Sequence, residues 1–214
     1  MGEHCCHHHD HHPAPRDEAR QRRVLWAALA INAAMFVVEI VAGLAAGSVS
    51  LQADSLDFLA DAANYGVSLA VVGMALRRRA MAALLKGLTM GAFGLWVIAA
   101  TVMHALAGTV PEPFTMGTVG VAALAANAGV LAMLWAFREG DANMRSVWLC
   151  SRNDVAGNLA VMLAAAGVFG TGSFWPDVIV AAVMAVLALW GAAQVVRQAT
   201  GELRATRRPA AAMA

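Results

Sequence analysis

The sequence predicts an all-α membrane protein of six transmembrane helices with both termini on the cytoplasmic side, and three observations carry that prediction. Of its 214 residues, 60% are apolar and 14% charged, too little charge to cover a soluble domain of this size. The apolar residues fall into six long runs, each of the order of the roughly 20 residues a helix needs to cross a bilayer. Lysine and arginine cluster before the first run, in every second connection and after the last, which is the positive-inside pattern.

Each span has its own justification. The first, about 24–47, follows Arg16, Arg20, Arg22 and Arg23 and stops at Gly47-Ser48-Val49. The second, about 49–76, ends at Arg77, Arg78 and Arg79; the third, about 80–107, runs into Gly108–Phe114 with its Pro111-Glu112-Pro113 turn. The fourth, about 115–137, is followed by Arg138 and Arg145. The fifth, about 144–169, leads to Gly170–Pro176, and the sixth, about 176–196, is followed by Arg197, Arg204, Arg207 and Arg208. No Lys or Arg stands in the other three connections, and a missed or extra helix would scramble that alternation. Lys86 and Arg152 fall inside runs, and snorkelling accounts for Lys86. The expected organisation is a disordered His/Cys-rich tail over 1–23, a membrane domain over 24–197 and a short tail over 198–214.

Composition removes several function classes. A net charge of +1 gives no nucleic-acid footprint. The run that starts at Val24 is too long for a signal-peptide core. The three cysteines, Cys5, Cys6 and Cys150, make no disulfide framework, so thiol or metal chemistry is the reading. The tail places His4, Cys5, Cys6, His7, His8, His9, His11 and His12 within twelve residues, a tract suited to loose metal capture, or, as a bland alternative, to a purification tag.

The informative residues are acids where lipid forbids them. Asp54, Asp57 and Asp61 lie in the second span, Asp154 in the fifth and Glu39 in the first. One aspartate at the bilayer centre costs roughly 2.5–3.5 kcal/mol, so these must face the bundle interior. Asp57 and Asp61 share a helix face, about 6 Å apart along the axis. Cys150 and Asp154 repeat the spacing on a span running the other way, so three carboxylates and a thiolate can meet at one depth. Four O and S ligands suit a tetrahedral divalent ion, and the soft thiolate favours zinc or cadmium over magnesium or calcium. Empty, such carboxylates repel one another and hold protons that a metal ion displaces, which points to proton-coupled export. A proton relay, or an ion pair with Arg152, remains the alternative for this spacing. Asp54 reads as a neighbour of the ligands, a proton carrier or a structural acid. Asn158 reads first as an interhelix hydrogen-bonder and Glu39 first as a structural pair with Asn32, and both stand beside Asp54 as candidates for supporting the ligands or carrying protons; His104 reads as incidental.

At these residues the chain resembles the cation diffusion facilitator family, over all six spans. Asn32 to Gly43, with Phe36 and Glu39, looks like the family's first helix. Gly47-Ser48-Val49-Ser50-Leu51-Gln52-Ala53-Asp54-Ser55-Leu56-Asp57-Phe58-Leu59-Ala60-Asp61 resembles its second, where a His or Asp stands four before an Asp. Trp148-Leu149-Cys150-Ser151-Arg152-Asn153-Asp154-Val155-Ala156-Gly157-Asn158 resembles its fifth. The resemblance implies export of zinc-like cations in exchange for protons by a homodimer that alternates between inward- and outward-facing states, with no permanently bound cofactor and no enzymatic activity. Cys150 stands where His or Asp is common, which tilts the expected cargo toward cadmium or lead beside zinc. The family's usual cytoplasmic domain after the sixth helix is expected to be absent. Its His-rich loop between helices four and five is replaced by Arg138-Glu139-Gly140-Asp141-Ala142-Asn143. The expected location is a bacterial inner membrane. A membrane-anchored metal sensor or buffer working through the tail is the competing reading, but an anchor needs no acids on two facing helices. An intramembrane hydrolase is a third, but it would not need a matching thiolate.

Overall fold

The structure, a computed structural model, describes residues 15–70, 76–137 and 142–205, and for 15–18, 76, 79, 137, 142–153 and 205 the backbone alone. It consists of six α-helices: α1 (Pro15–Ala46), α2 (Val49–Ala70), α3 (Leu76–Ala107), α4 (Pro113–Leu134), α5 (Ala142–Thr171) and α6 (Trp175–Ala205). A single 3₁₀ turn, Trp135–Phe137, extends α4, and no strand occurs among the described residues.

Two boundaries differ most from the sequence expectation. Helix α1 begins at Pro15, inside the stretch expected to be disordered, and α6 continues through the expected tail to Ala205. The reason is local propensity. Arg, Gln, Glu and Ala are strong helix formers, and a helix already nucleated in the bilayer extends into water at little cost. Gln198 Nε2 donates to Glu202 Oε1 at 3.0 Å on that extension. Residues 1–14, with the His/Cys tract, lie outside the described residues.

The three connections at the end opposite the termini are built alike. Gly47, Gly108 and Gly172 each follow a helix and take φ of 66°, 65° and 61°, the left-handed conformation that suits glycine. Ser48 N donates back to Gly43 O at 2.9 Å, Gly108 N to His104 O at 3.0 Å and Gly172 N to Val168 O at 2.8 Å. Glu112 then caps α4, accepting from Phe114 N and Thr115 N with Pro113 in the first turn. These bonds, from the Thr115 side chain and backbone first, hold the Glu112 carboxyl below its ordinary range.

The protein is turned inside out relative to a soluble domain. Leu106, Phe114 and Phe169 are more than 80% or just 80% exposed, while Glu39, Asp54, Asn158 and Asp177 are 0% exposed. Among the described residues, five helices are long and apolar enough to cross a membrane on their own composition. The exception is α2, which carries the three aspartates and packs against α1, α3, α5 and α6. It crosses as the enclosed member of a six-helix bundle. Close approach is allowed by small residues: a Cβ at Gly43 would sit 3.1 Å from Gln52 N between α1 and α2, and one at Gly94 would sit 2.9 Å from Leu189 Cδ2 between α3 and α6. Apolar clusters pack both ends, one around Leu51, Leu56, Val161 and Val168 and one around Leu25, Tyr65, Val130 and Leu134. The acidic stretch of α2 runs between them.

Candidate metal pathway

Helices α2 and α5 are antiparallel, and their register places the acids. The carboxyl groups of Asp61 and Asp154 interact directly across the interface, near the middle of both helices. Asp61 Oδ2 accepts from Tyr65 Oη at 2.9 Å, one turn along α2. Asp154 Oδ2 is buried with no hydrogen-bond partner among the described residues. One turn further from the termini, α5 presents Gly157, whose ideal Cβ position lies 3.7 Å from Asp57 Oδ2 and 3.8 Å from Asp54 Oδ1. A methyl group there would make ordinary contact with both carboxylates, and only a larger side chain would press on them.

Beyond Gly157 a polar chain crosses four helices. Asn158 Nδ2 donates to both oxygens of Asp54, at 3.1 and 3.0 Å. Asn127 Nδ2 of α4 donates to Asn158 Oδ1 at 3.2 Å. On the other side Glu39 of α1 faces Asp54 closely enough to interact, yet neither Glu39 oxygen completes a hydrogen bond among the described residues. Asn32 is not its partner: Asn32 Nδ2 donates to Ala28 O of its own helix at 2.8 Å, so the expected structural pair does not form. The Asn32 Nδ2 turns back onto its own helix, and Asn32 Oδ1 has no hydrogen-bond partner among the described residues.

Among the described residues, no three His, Cys, Asp or Glu side chains draw together tightly enough to hold an ion. Asp57, Asp61 and Asp154 occupy one stretch of the interface without closing round a single point. The side chains of Cys150 and Arg152 lie outside the described residues; Cys150 belongs to α5, one turn before Asp154.

The family model of the cation efflux transmembrane domain matches residues 25–203, nearly all of α1 to α6. The chain belongs to the cation efflux family, the cation diffusion facilitators. A comparison with curated proteins gives no match. This cation efflux protein is therefore an integral membrane metal-cation transporter, of a family whose members move ions and are not enzymes.

Several residues of this cation efflux protein were not singled out in the sequence. Asp177 is fully buried at the start of α6 and caps α2. Tyr65 is the sole tyrosine, four residues after Asp61, and that spacing is a signal of helical contact. Asn127 is a polar residue in an otherwise apolar run, again a readable signal. Gly157 and the partner of Lys86 give no sequence signal. His104 stays local: its Nδ1 pairs with Thr109 Oγ1 at 3.2 Å and its ring meets the Phe174 edge.

Proposed function

We propose that this efflux protein exports zinc and cadmium, with lead as a further substrate, from the cytoplasm in exchange for protons. Asp57, Asp61, Cys150 and Asp154 are the ligand set in this reading, and both termini are cytoplasmic. The observation that supports it most is the meeting of Asp61 and Asp154 from two antiparallel helices in the middle of a lipid-spanning bundle. A divalent cation entering there supplies the charge that lets the carboxylates close, with Asp57 and the thiolate of Cys150 one helical turn away completing four ligands. Protons are the competing occupants of the same carboxyl oxygens: metal entry releases them, and protons arriving from the opposite face expel the metal. Asp54, held by Asn158 and facing Glu39, adjoins the ligands and serves as the carrier of protons to and from them. The His/Cys tract of residues 4–12 gathers ions loosely ahead of the pathway. The assembly is a homodimer held through the spans, and the membrane is a bacterial inner membrane.

The test is zinc and cadmium uptake into proteoliposomes under an imposed pH gradient, with internal pH followed in parallel. Asp57→Ala, Asp61→Ala and Asp154→Ala are expected to abolish uptake of both ions. Cys150→Ser is expected to weaken both, cadmium more, and Cys150→His to favour zinc. An unchanged cadmium-to-zinc ratio in Cys150→Ala would remove Cys150 from the site. Full-rate zinc uptake with no accompanying proton movement would refute the exchange.

A further inference from the structure

Lys86 stands ten residues into α3, about 15 Å from its first residue at 1.5 Å per residue. A lysine that only snorkels sends its ammonium along the helix to the headgroups. Lys86 instead donates its Nζ to Asn64 Oδ1 of α2. Asn64 and Lys86 both interact with the Asp61 carboxylate, which in turn faces Asp154. A fixed ammonium is thus tethered one residue away from the carboxylate pair at the centre of the pathway.

The space beside it is open. A cavity of about 190 Å³ lies between α2, α3 and α6, toward the end of the bundle that holds both termini. Asn64, Lys86, Gln198 and Glu202 supply its polar lining and Val67 and Val195 part of its apolar lining. Glu202, held by Gln198 at 3.0 Å, supplies a carboxylate to the wall that α6 contributes. Lys86 is partly buried and borders this cavity, and it borders a second, apolar one of about 380 Å³ between α2 and α3 as well. Lys86 thus borders this cavity and interacts with Asp61.

We propose that Lys86 is a tethered counter-ion of Asp61 that an entering divalent cation must displace, which makes it the residue that sets entry affinity from the terminal side. With no metal present, the ammonium offsets part of the buried negative charge. Arrival of a divalent ion at Asp61 puts like charges in a poorly screened interior, and the ammonium swings toward the cavity, where Glu202 receives it. When the metal leaves, Lys86 returns to Asn64 and Asp61 and opposes rebinding. The exchange moves one fixed charge over a short distance and requires no change in its protonation.

This inference rests on Asp61 being a metal ligand, and the experiment separates the two. Uptake kinetics of cadmium and zinc are measured in proteoliposomes for Lys86→Met, Lys86→Gln, Lys86→Arg and Asp61→Asn. The pH is set above the point where wild-type uptake stops rising, so proton competition does not enter. Lys86→Met and Lys86→Gln are expected to lower KM about tenfold, or about 1.4 kcal/mol, and to lower the maximal rate because release slows. Lys86→Arg, which keeps the charge, is expected to stay within about twofold of wild type. An unchanged KM in both neutral variants, with Asp61→Asn inactive, would overturn the proposal and leave Lys86 a snorkelling residue. Loss of folded protein in both neutral variants with Arg intact would overturn it too, in favour of a structural counter-charge. Normal uptake by Asp61→Asn would refute the ligand reading itself.

Discussion

Asp177→Ala tests how the bundle is fastened at the end away from its termini. Asp177 is in the first turn of α6 and is 0% exposed. Its Oδ1 accepts from Ser48 Oγ at 2.7 Å and from Ser50 N at 3.0 Å, and its Oδ2 accepts from Val49 N at 2.8 Å. Ser48 Oγ in turn accepts from Leu51 N at 3.2 Å. One carboxylate from α6 therefore caps α2, whose first amides have no partner within their own helix. A hydrogen bond to a charged acceptor contributes about 1.5–3 kcal/mol, and three would sum to well above the usual cost of a lost cap. Water reaching the vacated end recovers part of that, so a loss of about 3–5 kcal/mol is expected, the range for breaking a buried charged contact. For a chain of this length that is a fall of about 10 °C in the unfolding midpoint. The assay is thermal unfolding of the purified protein in detergent, with Ser48→Ala expected to cost about 1–2 kcal/mol and the double variant less than the sum. A shift under about 2 °C for Asp177→Ala, or strict additivity with Ser48→Ala, would refute this account of the cap.

Other outcomes follow from single contacts. Gly43→Ala should destabilise by about 1–3 kcal/mol, because the new Cβ would meet the Gln52 backbone nitrogen at 3.1 Å and backbone has no rotamer to retreat into; thermal unfolding checks it. Gly157→Ala meets only ordinary contacts at 3.6–3.8 Å and should fold as well as wild type, whereas Gly157→Leu should press on Asp57 and Asp54 and weaken metal binding, measured by titration calorimetry. Asn158→Leu removes both donors to Asp54 and should cost about 2–3 kcal/mol, with Asn127→Leu costing less because it touches Asp54 only through Asn158. Glu112 has a lowered carboxyl, so its cap on α4 is present at neutral pH and is lost only as pH falls below the ordinary carboxylate range. Amide exchange at Phe114 and Thr115 against pH reads this out. Deleting residues 2–12 should reduce metal capture at low concentration and leave maximal transport, and crosslinking in native membranes should show a homodimer.

The Arg/Lys pattern framed six spans and their order, and hydropathy by itself picks out five of them, because transfer free energy adds up residue by residue along one helix; α2, with its three aspartates, crosses only enclosed by its neighbours. The same logic flagged Asp54, Asp57, Asp61 and Asp154, since an intramembrane acid is costly wherever it points. Helix ends were less legible: the Arg-rich flanks of α1 and α6 read as tails because hydropathy stops at the lipid boundary, while helix propensity does not. What only the tertiary structure decided is partnership. Asp177 and Ser48 are far apart in sequence and meet because α2 and α6 pack side by side, and Lys86 finds Asn64 because α3 is rotated that way against α2. The relative depth of α2 and α5 sets Asp61 against Asp154 and Asp57 beside Gly157, and a slide of one turn would pair different acids without altering either helix's own pattern. Spacing within a helix is fixed by its 3.6-residue turn; rotation and register between helices are fixed by packing over their whole length, which no single motif encodes.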